Sequence, residues 1–575
     1  MTTDTNPVAT GRPRAAMLMR LQPARLVWLS LALVLTILVV APLAMLVVKS
    51  FSAANGGGFT LDNYIRAYGR ARHVQALWNT LVMGLATTVL AVMLAVPTAW
   101  ACTRTNMPGR TFIRIAIFGS FLMPPYLTGV GWILLAGPNA GFINQAWTAL
   151  TGIDAPLVNI FTFPGLVLVM GVSTFFTIFI LVSAAFELLS SEMEDAANVL
   201  GAGPFRTLFR VTLPLVLPTI LGSALLTFLV SIALYGVPAL ISIPARYPVV
   251  VIQLAEFFSF PVRIEVAAAY SIPLLGITIG LLLLQRRILG RKGYTAVGGK
   301  GGERRTIDLG PWKWAMFGYA MLVVLLAVAM PFLVLVLSAF SRSWVNGFSL
   351  DNLTLDHFHC VLFEHSSSQR ALVTSVFTGA AAATLAIGLA LSIAYIVQRR
   401  LLPWGGVLAF LCMSPFVIPG IVLAIGFYAV YALPPVGLYG TYLILILAFT
   451  TRFLPIAYTT SVNGVRAVNP EMEEAVRILG GGQFTAIRKV VAPLLKRTLA
   501  SGWILMFVPA AQELSTAVFL VGPHTRVVSV VLLDMSEEGT FERLAALGSV
   551  LLAIIAAIVL IGVRLLGRDF MLRRS

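Results

Sequence analysis

Charged and metal-binding side chains are scarce in this chain, so the few in unusual places stand out. Arg452 and Glu513 each lie in a long apolar run, where burying an ion is expensive and needs a reason. If one run descends and the next ascends, the two fall within roughly two helical turns in depth. Two chemistries fit: a buried ion pair that fixes helix packing, or a charge that lines and gates a solute pathway. A second cluster, Asp356, His357, His359, Cys360, Glu364 and His365, contains residue types that ligate a transition metal. As a helix it would bring His357 near Cys360 and Glu364. The alternative is an interfacial helix whose polar side faces water. A third group is paired carboxylates in a repeat: Glu194-Asp195-Ala196-Ala197-Asn198-Val199-Leu200-Gly201 and Glu473-Glu474-Ala475-Val476-Arg477-Ile478-Leu479-Gly480 lie 279 residues apart and run on to Pro214 and Pro493.

Each copy of the repeat spaces its apolar residues as a helix does, Met193, Ala196, Ala197 and Leu200, then Met472, Ala475, Val476 and Leu479, before a glycine interrupts it. The predicted shape is a short amphipathic helix, a turn and a second helix. Ser191 with Glu194 forms a capping box for the first copy, whereas Asn469 caps a helix that begins at Pro470.

The elements around these residues belong in a membrane. With 58% hydrophobic and 11% charged residues and a mean hydropathy of +0.92, the chain is far more apolar than a soluble domain. It is predicted to be an all-α membrane protein with runs long enough to span near 27–49, 76–101, 111–136, 160–189, 212–235, 264–286, 313–339, 370–397, 403–431, 437–463, 496–520 and 545–567. The first run is too long for a signal peptide and is taken as an uncleaved span.

The net charge of +17 needs no nucleic acid. Its arginines and lysines gather in loops that twelve crossings put on one side, among them Arg104, Arg399, Arg488 and Lys489. The positive-inside bias places that side, both termini and both glycine-interrupted loops in the cytoplasm.

The chain is a tandem duplication. Phe59-Thr60-Leu61-Asp62-Asn63 recurs as Phe348-Ser349-Leu350-Asp351-Asn352, and Met123-Pro124-Pro125 as Met413-Ser414-Pro415. Two parallel six-helix units follow, with a pathway expected at their interface. The predicted organisation is a tail over 1–26, a first unit over 27–289 with its loop at 191–214, a Gly-rich basic linker over 290–312, and a second unit over 313–575 with its loop at 470–493. The first-half equivalents of Arg452 and Glu513 are the uncharged Ser173 and Leu234. The counterpart of the histidine cluster, 62–73, holds one histidine, which argues against a shared metal site.

The repeated loop, Glu-Ala-Ala, three residues, Gly, then a β-branched residue and Leu-Pro, resembles the E-A-A loop of ABC importer permeases. The first copy matches at Asp195, Ala196, Ala197, Gly201, Val211, Leu213 and Pro214; the second matches at Glu474, Ala475, Gly480, Val490 and Pro493, with Val476 and Ala492 as departures. Tyr235-Gly236-Val237-Pro238-Ala239-Leu240, Arg452-Phe453-Leu454-Pro455 and Glu513-Leu514-Ser515 resemble fused permeases of the ferric-iron type, whose plan is shared with permeases for thiamine, polyamines and phosphonates.

The resemblance implies an inner-membrane subunit, surrounded by lipid, that couples through Glu194, Glu473 and the matched residues to two copies of an ATPase and receives solute from a periplasmic binding protein. No cofactor is expected on this chain, and ATP and Mg are expected on the partner subunits. Gly293, Gly298, Gly299 and Lys300 look like a phosphate loop, but Gly299 intervenes and Gly301 stands where a hydroxyl residue is required, so the chain is not expected to be an enzyme. An ion-coupled secondary transporter would explain twelve spans but not paired E-A-A loops.

Overall fold

A computed structural model describes residues 22–53, 58–189, 192–258, 261–290, 306–347, 349–402 and 404–566. Ten helices among these are long and apolar enough to cross a membrane: Leu26–Ser50, Ala71–Arg104, Phe163–Leu188, Pro204–Ala233, Ile264–Gln285, Trp312–Ala339, Ser366–Gln398, Tyr442–Ala467, Ile487–Ala511 and Phe541–Arg564. The expected third and ninth spans are instead broken pairs, Arg110–Leu122 with Pro125–Ala136 bent by 102°, and Gly405–Phe416 with Gly420–Ala432 bent by 111°. The cause is proline, which disfavours helical backbone in the residue before it. Met123 (ψ 118°) precedes Pro124, and Ile418 (ψ 120°) precedes Pro419, both extended as that clash requires.

The expected eleventh span also stops short. Its helix ends at Ala511, and 512–527 is irregular apart from a 3-10 turn at Ala517–Phe519, so Glu513 sits just past the helix rather than within it. The break geometry shifts the repeat register too. Pro124 (φ −57°, ψ 140°) corresponds to Pro419 (φ −54°, ψ 139°), an offset of 295, not the 290 suggested by the Met-x-Pro match. At the capping threonines Thr162 and Thr441 the offset is 279, and the extra first-half residues between these points include a helix, Phe142–Thr151.

Four spans carry a wide π-turn ending two residues before a proline: Thr36–Val40 before Pro42, Leu208–Thr212 before Pro214, Leu325–Ala329 before Pro331, and Ile487–Val491 before Pro493. Proline lacks the N–H for the helical bond and its ring crowds the carbonyl four residues back; the wider turn carries that carbonyl clear. Two carbonyls freed above Pro42 find partners in the other half. Ile37 O accepts from Tyr431 Oη at 2.5 Å, and Leu38 O accepts from Thr451 Oγ1 at 3.2 Å.

The second, fourth and fifth spans pack into one bundle, as do the eighth, tenth and eleventh, while the first helix of each half crosses to the other. Glycine makes both crossings close: a Cβ on Gly131 would lie 2.7 Å from Pro331 O, and one on Gly426 would lie 2.7 Å from Pro42 O. Gly131→Ala and Gly426→Ala should each lower thermal stability in detergent by about 1–3 kcal/mol through overpacking against backbone. Gly276→Ala, with nothing among the described residues within 4 Å of the added carbon, should not.

Candidate functional site

The two E-A-A loops are short helices, Glu192–Val199 and Pro470–Ile478, each followed by a glycine in the left-handed region, Gly201 at φ +78° and Gly480 at φ +82°. Only glycine adopts that conformation without cost, which is why the helices stop there. Asn469 caps the second as expected, accepting from Glu471 N–H at 3.1 Å. Ser191, the expected cap of the first, lies outside the described residues, as does the glycine-rich stretch around Lys300. Leu213, Pro214 and Pro493 fall within span helices rather than in the loops, because the chain resumes helix at Pro204 and near Gln483 soon after each turn.

Glu194 and Glu473, expected at a partner's surface, point inward and are only 2% and 3% exposed. Glu194 pairs with Arg104 at the end of the second span and accepts from Thr212 Oγ1 at 2.7 Å. Glu473 pairs with Arg399, just past the eighth span, at 2.7 Å, and accepts from Tyr395 Oη at 2.6 Å. Each arginine also donates to backbone carbonyls, Arg104 to Leu189 and Arg399 to Val465 and Val468. One face of each loop helix is thereby fixed to its own half. The opposite ends are bare: Val199 and Leu200, then Ile478 and Leu479, are 85–87% exposed, with Ala196, Glu474 and Ala475 exposed beside them and Asp195 and Ala197 half-buried.

The arginine partners were absent from the sequence expectations except as loop charge. The signal that could have found them is position, one arginine closing the equivalent span of each half.

The first loop has two further contacts. Phe205, just beyond its turn, stacks edge-on with Trp312 at the start of the seventh span, 5.6 Å between ring centroids. Ile307 N–H donates to Arg104 O at 2.8 Å, so the far end of the linker joins the same corner.

Arg452 and Glu513 do meet, Nε to Oε2 at 3.1 Å. Glu513 Oε1 also accepts from Thr516 N–H and Oγ1, and a Cβ on Gly420 would lie 2.5 Å from Arg452 Nη1. The pair therefore joins the tenth span, the segment after the eleventh and the break of the ninth. The histidine cluster does not converge: His359 pairs with Glu364 at 3.1 Å, His365 caps the eighth span through Ser368, and His357 and Cys360 join neither contact. Among the described residues no three His, Cys, Asp or Glu side chains gather closely enough to hold a metal ion. On the face away from the E-A-A loops, a cavity of about 790 Å³ lies between the halves, walled by Tyr235, Gln253 and Glu256 on one side and Phe519, Asp534 and Glu537 on the other.

Two double-mutant cycles separate charge pairing from other roles. Glu473→Gln should cost about 3–5 kcal/mol by orphaning Arg399, and adding Arg399→Met should recover much of it, read by thermal unfolding and by hydrogen exchange over 470–480. For Arg452→Met with Glu513→Gln, restored stability together with lost transport marks a pathway role, whereas restoration of both marks packing alone.

Residues 385–572 match the family described as "Binding-protein-dependent transport system inner membrane component". Over 92% of its length the chain is 26% identical to the ferric transport system permease protein FbpB of Actinobacillus pleuropneumoniae, covering 77% of that protein. It is 25% identical over 87% of its length to putative ferric transport system permease protein FbpB 1 of Haemophilus influenzae, covering 78% of it. Over 42% of its length it is 26% identical to the spermidine/putrescine permease PotC of Escherichia coli, covering 89% of that protein. Two anchored E-A-A loops on a duplicated bundle of spans, with these similarities along most of the chain, make it a multi-pass inner-membrane permease of the binding-protein-dependent ABC importer type.

Proposed function

We propose that this chain imports ferric iron, forming the pathway between its two halves. The E-A-A loops face the cytoplasm, where one copy of a separate ATPase docks on each. A periplasmic binding protein delivers solute at the opposite face. The observation that carries the coupling role is the symmetric pair of loops, each anchored by a buried glutamate and each ending in two almost fully exposed apolar residues. Bare apolar side chains at a helix end call for a partner surface. The basic residues on that face support the orientation.

Iron is supported by similarity to relatives named as ferric permeases over most of the chain. A polyamine is the second reading, supported by the similarity to PotC. ATP and Mg reside on the ATPase partners, and this chain contributes the pathway and the coupling surface.

Uptake of radiolabelled ferric iron, spermidine, thiamine and a phosphonate, compared between a deletion strain and its complemented parent, decides among solutes; iron accumulation should depend on the chain, and its independence would overturn the iron reading. In the same strain Gly201→Val with Gly480→Val, which force about 1–2 kcal/mol of left-handed strain on each loop, should reduce uptake while membrane insertion persists.

A further inference from the structure

The cavity between the halves contains an unanswered polar group. Gln253, on helix Val250–Phe258, lines it with a side chain 1% exposed, and among the described residues neither its amide oxygen nor its nitrogen has a hydrogen-bond partner. A buried unsatisfied polar group costs about 1–3 kcal/mol. A fold tolerates that where a ligand supplies the missing bonds.

The opposite wall supplies charge. Asp534 and Glu537 lie one turn apart on helix Val528–Glu537, which belongs to the second half. Asp534 is engaged by Arg526 at 2.8 Å, while among the described residues Glu537 forms no ion pair. Partial burial raises both carboxyls from their ordinary values, and the charge of Asp534 raises Glu537 further. Glu256 completes the acidic lining, paired with Arg72 at 2.9 Å, and Arg246 is the remaining, exposed cation of the wall. Two neighbouring carboxylates with one counter-ion between them gain from a second positive charge.

We propose that this cavity is a transit site for a cation, which the Gln253 carbonyl oxygen and the Asp534 and Glu537 carboxylates hold as it passes between the halves. The proposal rests on the importer reading and adds the chemistry of what enters. No metal-chelating set gathers there among the described residues. The cation is therefore held through its own water or as an organic ammonium, and loosely, as conduction requires. A volume of about 790 Å³ admits either.

The test uses membrane vesicles carrying the complete importer and measures uptake of radiolabelled ferric iron and of spermidine in parallel, with ATP hydrolysis under the same conditions. Glu537 is exposed, so Glu537→Gln keeps the fold; that variant and Asp534→Asn/Glu537→Gln should lower uptake of the imported cation, the double by about tenfold, the worth of one charged hydrogen bond. Stimulation of hydrolysis by loaded binding protein should persist, and Glu537→Lys should be worse than Glu537→Gln. Unchanged uptake in the double variant would overturn the proposal. So would hydrolysis falling in step with uptake, which would make this wall a docking face for the binding protein. An unaltered chain that imports spermidine but not iron would sink the ferric reading and support the cation site, and import of neither would overturn the cation itself.

Discussion

Lipid offers no hydrogen bonds, so every carbonyl or charge released inside it must find a partner within the protein. This chain releases many. Its spans are rich in proline, each removing a helical bond, and the π-turns before Pro42, Pro214, Pro331 and Pro493 are the local answer. Above Pro42 the answer is also tertiary, since Tyr431 and Thr451 of the second half satisfy carbonyls of the first span. The same rule governs charge: Arg452 is tolerable at depth because Glu513 meets it. Satisfaction of released groups is thus what joins helices that dispersion alone would hold weakly.

Joining the halves also requires close approach. Gly131 against Pro331 and Gly426 against Pro42 are equivalent contacts in which the first helix of one half lies on the broken span of the other. The break that turns the third and ninth spans by more than 100° lets a short helix stand against that crossing helix. Proline, glycine and the exchange of first helices act as one device used twice.

Much of this was legible in the sequence because it rests on periodicity and composition. The apolar runs, the duplication, the loop helices and the terminating glycines Gly201 and Gly480 follow from local pattern, and so does the meeting of Arg452 with Glu513, where a charge in lipid demands a partner. The broken spans were hidden because an apolar run reads the same straight or bent, although Pro124, Pro125, Pro415 and Pro419 carried the warning. The inward orientation of Glu194 and Glu473 was hidden for another reason. Their partners Arg104 and Arg399 are distant in sequence, and basic residues at span ends already had an explanation in membrane orientation. The cavity was less legible still, since Gln253 stands out only once its lack of partners among the described residues is known.

The two loops are alike in their anchors, and the first also touches the other half. Ile307 is pinned to the backbone of Arg104, and Phe205 touches Trp312 at the head of the seventh span. A displacement of the first loop therefore loads both halves at once, through its own arginine and through the opening residues of the other half. Fusion into one polypeptide does more than fix a one-to-one ratio of halves: it carries a movement of the first loop directly into the head of the second half.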